Sequence, residues 1–86
     1  MEIRILLNET SFTNLCKTGF LTHKSPSGTR NISITSLDMK KIATGDILTK
    51  ISEDDTIMIA LSDIGTTLIK EIIKRSPVYS QMYYEI

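Results

Sequence analysis

The chain has 86 residues, of which 41% are hydrophobic and 23% charged, the make-up of one small globular domain. Ten Lys and Arg balance ten Asp and Glu, so the formal net charge is zero, which excludes bulk, non-specific attraction to nucleic acid. A domain this short buries only roughly 60 to 65% of its unfolded surface, so its core is thin and self-association is a natural source of added stability.

Ile3, Ile5 and Leu7 keep a period of two against Glu2, Arg4 and Asn8, which predicts a half-buried strand, although Leu6 breaks the alternation. Thr10 or Ser11 then caps a helix of about two turns carrying Phe12, Leu15 and Cys16 on one face, and Gly19 stands where a left-handed C-terminal residue is wanted. Two β-prone runs, 20–24 and 29–35, flank Ser25-Pro26-Ser27-Gly28 and predict a β-hairpin in which Pro26 presets the turn and Gly28 accepts a positive φ. Ser36 is placed to cap a second short helix through Met39 and Ile42, which Gly45 stops. Ile-rich runs at 46–51 and 56–61, around the acidic Ser52-Glu53-Asp54-Asp55, predict a further strand pair.

The longest helix is expected from Ser62 or Asp63 to Arg75, because Ile64, Leu68, Ile72 and Arg75 recur at helical spacing and Ile69 and Ile73 widen the stripe. Ser62 and Asp63 suit its positive end, and Lys70, Lys74 and Arg75 its negative end. Ser76-Pro77 halts or restarts the chain, with Pro77 fitting a first helical position after a Ser76 cap. Residues 1–86 thus read as a single α+β domain: a small, largely antiparallel sheet of four to five strands, one main amphipathic helix packed on a face, and one or two short helices. Residues 78–86 form a C-terminal tail that docks on the body or on a partner chain.

Catalytic chemistry is thinly supplied. Cys16 and His23 are the only residues of their types, and they act either as a nucleophile–base pair or as a small buried hydrophobe beside a solvated imidazole, the second being favoured. One Cys and one His cannot assemble a structural zinc site of the usual kind, and three consecutive acids at 53–55 suit a solvated turn better than a cation site. Ser62-Asp63-Ile64-Gly65 before a helix offers backbone donors to a phosphate, but Ser62 and Asp63 satisfy such donors themselves and Asp63 repels an anion. No catalytic residue, metal or cofactor is therefore predicted. A lone cysteine suits a reducing compartment, the first residues lack a secretory pattern, and the longest apolar run, 57–61, is far too short to cross a bilayer. A cytoplasmic, non-membrane protein is expected.

Charge is unevenly distributed. No Asp or Glu occurs between Thr10 and Leu37, where Lys17, His23, Lys24 and Arg30 stand among many hydroxyl side chains, with Lys40 and Lys41 following; Asp46, Glu53, Asp54, Asp55 and Asp63 come later. In one reading the hairpin grips single-stranded RNA, with Lys17, His23, Lys24, Arg30, Lys40 and Lys41 on phosphates and Phe20 or a tail Tyr stacking a base. In the other the chain binds protein, a host factor or a second copy of itself as a homodimer, and Tyr79, Met82, Tyr83 and Tyr84 form the anchor patch unless they pack the domain's own open edge.

Phe12, Leu15, Lys17, Gly19, Phe20 and the turn Ser62-Asp63-Ile64-Gly65 are the most distinctive residues. In length, richness in Ile and Lys, a single Cys and no Trp, the chain resembles the small accessory proteins of T-even-type phages. That resemblance implies a binding protein rather than an enzyme, in the manner of anti-defence proteins that block a host nuclease, toxin or restriction system in the host cytoplasm, some through RNA as well as protein. It carries over no site.

Overall fold

Asn8 opens the first helix. Its side-chain oxygen accepts from the Ser11 amide at 2.9 Å and the Ser11 hydroxyl accepts from the Asn8 amide at 2.9 Å, a reciprocal cap that starts the helix before Thr10. The computed structural model describes residues 1–26, 28–52 and 54–85, without the side chains of Ser25, Tyr83, Tyr84 and Glu85. Its strands are β1 (Glu2–Leu7), β2 (Phe20–Ser25), β3 (Gly28–Ser33), β4 (Leu48–Ser52) and β5 (Asp55–Leu61). The helices are α1 (Glu9–Thr18), α2 (Ser36–Ala43) and α3 (Thr66–Lys74), and a 3-10 turn follows at Ser80–Glu85. The fold is α+β, as expected.

The sheet arrangement differs from the expectation. Instead of one largely antiparallel sheet there are two: a three-stranded sheet in the order β1-β5-β4 and a two-stranded ribbon of β2 and β3. β5 pairs antiparallel with β4 but parallel with β1, with Ile3 opposite Ile57 and Leu7 opposite Leu61. The three helices are similar in length, so none dominates.

Helix stops follow the residues that favour them. Gly19 takes φ 82° and its amide donates to the Leu15 carbonyl at 2.8 Å, closing α1 with a left-handed cap. Thr35, not Ser36, caps α2: its hydroxyl accepts from the Asp38 amide at 3.2 Å while the Asp38 carboxylate accepts from the Thr35 amide at 3.1 Å. α3 begins later than expected, with Gly65 as its cap residue and no side-chain cap. The reason is that the Ser62 amide donates to the Leu7 carbonyl at 2.9 Å, which extends the β1–β5 ladder and withholds Ser62 from the helix.

Leu7, Phe12, Leu15, Cys16, Met39, Ile42, Ile57, Ile59, Ile73 and Tyr79 are almost fully buried and form one core, joined by Ile32 from the ribbon and Ile34 just after it. All three helices contribute to it, and so does the tail. Ser76 is buried; its hydroxyl donates to the Cys16 carbonyl and accepts from the amides of Val78 and Tyr79 at 3.1 and 2.9 Å. The Tyr79 hydroxyl donates to the Ile34 carbonyl. The tail thus docks on the chain's own body through residue 82, with Ser76 capping the turn as its position before Pro77 suggested.

Candidate functional site

Strand alternation assigns each hairpin residue a face. Phe20, Thr22, Lys24, Thr29, Asn31 and Ser33 are exposed on one side of the ribbon, whereas Leu21, His23, Arg30 and Ile32 lie on the other, against the body. Lys24 and Arg30 therefore point in opposite directions. The Arg30 guanidinium donates to the Ser52 hydroxyl at 3.2 Å and to its carbonyl at 3.4 Å, tying the ribbon to the end of β4. His23 stands opposite Arg30, and its Nε2 is buried with no hydrogen-bond partner among the described residues.

The other predicted cations are spread over the helices. Lys17 lines a groove of about 330 Å³ between α1 and α3 in which Glu9 and Glu71 accompany it and Arg75. Lys40 and Lys41 are exposed on α2. Lys50, which the sequence reading passed over, donates to Asp38 at 2.6 Å. Burial alone would raise the Asp38 pKa, but the Lys50 ammonium and the Thr35 amide and hydroxyl outweigh it and hold the carboxyl below its ordinary range. The hairpin thus carries Lys24 and Arg30 on opposite faces rather than side by side.

Cys16 is buried in the core, and desolvation pushes its thiol up to about 12, which favours the protonated form at neutral pH. No group of three or more His, Cys, Asp or Glu among the described residues can hold a metal ion, and no helix there is long and apolar enough to cross a membrane. Tyr79 and Met82, expected as partner anchors, are 1% and 4% exposed and belong to the core. They serve the alternative use, packing the chain's own open side; the side chains of Tyr83 and Tyr84 lie outside the described residues.

The surface with the clearest chemistry is one the sequence reading did not single out. The inner face of the β1-β5-β4 sheet, built on Ile3, Ile5, Leu7, Ile57, Ile59 and Leu48, is buried under the helices. By the strand period, the outer face carries Glu2, Arg4 and Leu6 from β1, Thr56, Met58 and Ala60 from β5, and Thr49 and Ile51 from β4, with Ile47 just before it. No described element covers this face. Leu6, Ile47 and Ile51 are 69%, 56% and 80% exposed, and a groove of about 400 Å³ runs between Arg4, Leu6, Ile47, Met58 and Ala60.

At about 180 Å² for a fully uncovered residue of this size, Leu6, Ile47 and Ile51 alone offer on the order of 350 Å² of apolar surface, within the range of a functional patch. Among the described residues the charges on the strands of this face are Glu2 and Arg4, which neutralise each other through a contact of 3.1 Å at Nη2 and 3.2 Å at Nε. The signals were present in the sequence: Leu6 in a polar slot of the alternation, and Met58 and Ala60 inside an apolar run whose other members, Ile57 and Ile59, fill the inner face. No family model matches the chain, and neither does any curated protein or solved structure.

Proposed function

We propose that the chain is a non-enzymatic binding protein that acts by occlusion, using the outer face of its three-stranded sheet to cover another protein surface. The observation that carries this reading is a sheet with one face buried under helices and the other open, apolar and free of net charge. Such a face offers hydrophobic contact and little long-range steering, so its partner is a protein with a complementary apolar patch rather than a polyanion. An inhibitor of a host nuclease, toxin or restriction system, of the kind the resemblance to phage accessory proteins implies, would work through a surface of this type.

Single-stranded RNA is the second reading, and one observation favours it: Phe20 and Lys24 share the exposed ribbon face with Thr22, Thr29, Asn31 and Ser33. Capture from cell extract with and without nuclease separates the two. Under the protein reading, the tagged chain retains its partner after nuclease treatment and loses it on Ile51→Lys. Capture that survives Ile51→Lys but is destroyed by nuclease and by Lys24→Glu refutes the sheet-face reading in favour of RNA.

A further inference from the structure

The open face is suited to itself. Glu2 and Arg4 sit on β1, one edge of the sheet; Ile47, Thr49 and Ile51 belong to the opposite edge; Met58 and Ala60 occupy the centre. A two-fold axis running along β5, between two stacked sheets, lays β1 of one copy over β4 of the other. Such an axis would place Leu6 over Ile47 of the second copy, Arg4 over its Thr49, Glu2 over its Ile51, and Met58 over its own counterpart. The charged pairs of the two copies fall on opposite edges, each over β4 of the other copy, so no like charges face each other.

Charge and area support the same arrangement. The chain has zero formal net charge, so two copies approach without Coulomb repulsion. With Glu2 and Arg4 included, the face offers at most about 800 Å² per copy, about what each partner of a standard interface buries. We propose that a second copy of this chain covers the outer face of the β1-β5-β4 sheet, giving a sandwich of two three-stranded sheets with the helices outermost. This rests on the reading above that the face is an interaction surface, and it names the occupant.

Sedimentation of the purified chain from about 10 μM to about 1 mM tests it, since mass action must drive a weak dimer together over that span. The weight-average mass is expected to rise from 9.7 kDa toward twice that value, at low and at high salt alike. Ile51→Glu, which sets a second carboxylate against Glu2 of the other copy, and Leu6→Lys, both at solvent-exposed positions, are expected to keep the fold and hold the mass at 9.7 kDa. Leu37→Lys, at a residue of α2 as exposed as Ile51, is expected to leave the association unchanged. A mass that stays at 9.7 kDa throughout, while nuclease-resistant capture from extract still depends on Ile51, overturns the second copy but preserves the sheet face as a site for a different protein. Association that ignores both Ile51→Glu and Leu6→Lys overturns the proposal and removes the support for the sheet-face reading with it.

Discussion

Replacing Tyr79 by Phe removes one oxygen atom from the core and leaves the ring in place. The Tyr79 hydroxyl donates to the carbonyl of Ile34, itself buried, so the substitution deprives a buried acceptor of its donor. That loss costs about 1 to 3 kcal/mol, which in a domain of this size lowers Tm by on the order of 5 to 20 °C. The same residue has a second, pH-dependent signature. Burial, helped by the nearby Cys16 and Asp38, pushes the Tyr79 phenol up to about 12, above the usual tyrosine value of 10.0.

A phenol whose folded pKa is raised stabilises the fold fully below pH 10, and the contribution is lost as pH climbs toward 12, because the unfolded chain ionises first. At about 1.4 kcal/mol for each pH unit, the native protein loses roughly 2 to 3 kcal/mol from this residue by pH 12. Phe has nothing to ionise, and the buried Cys16 thiol is common to both proteins, so it largely cancels in the comparison. Urea denaturation of the two proteins from pH 8 to pH 12 should show the gap between them closing across the upper two units. A gap that stays constant over that range would show that Tyr79 ionises as freely in the folded state as in the unfolded one, and the reasoning would be wrong.

Two further outcomes follow from side chains already placed. Lys24→Glu, on the outward ribbon face, should change stability by no more than about 0.5 kcal/mol, whereas Arg30→Glu, which breaks the contact to Ser52, should cost about 1 to 3 kcal/mol; equal thermal shifts would contradict their opposite orientation. Asp38→Asn removes the partner of Lys50 and should cost about 1 to 2 kcal/mol at pH 7. Because the Asp38 pKa is lowered in the fold, the native advantage is present above the unfolded carboxylate value and fades as pH falls below it, so denaturation curves at pH 3 and pH 7 should show the gap shrinking toward acid.

What could be read along the chain was what neighbouring residues decide. The buried stripe of Phe12, Leu15 and Cys16, the left-handed Gly19 and the 20–33 hairpin depend on spacing and turn chemistry within a few positions. The cap of α1 was misplaced because Ser11 acts as the reciprocal partner of Asn8 and not as the first residue, and the start of α3 because Ser62 is held in the sheet by Leu7. Pairing of β1 with β5 joins segments more than fifty positions apart, and no local pattern encodes it. The cations of 17–41 looked like one patch in sequence, but alternation along the ribbon turns Lys24 outward and Arg30 inward. The open apolar face is the converse case: Leu6, Ile47, Met58, Ala60 and Ile51 are scattered in sequence and become a surface only when three strands lie side by side.

The parallel pairing of β1 with β5 also sets the order in which the molecule can form during synthesis. Glu2–Leu7 leaves the ribosome before its hydrogen-bonding neighbour, Asp55–Leu61, which lies more than fifty positions further on, and α3 comes later still. At about 5 to 20 residues per second, the first strand waits on the order of 3 to 10 s with Ile3, Ile5 and Leu7 unsheltered. Local pieces such as the hairpin and α1 can take shape in that interval, but the three-stranded sheet closes only once Asp55–Leu61 has been made.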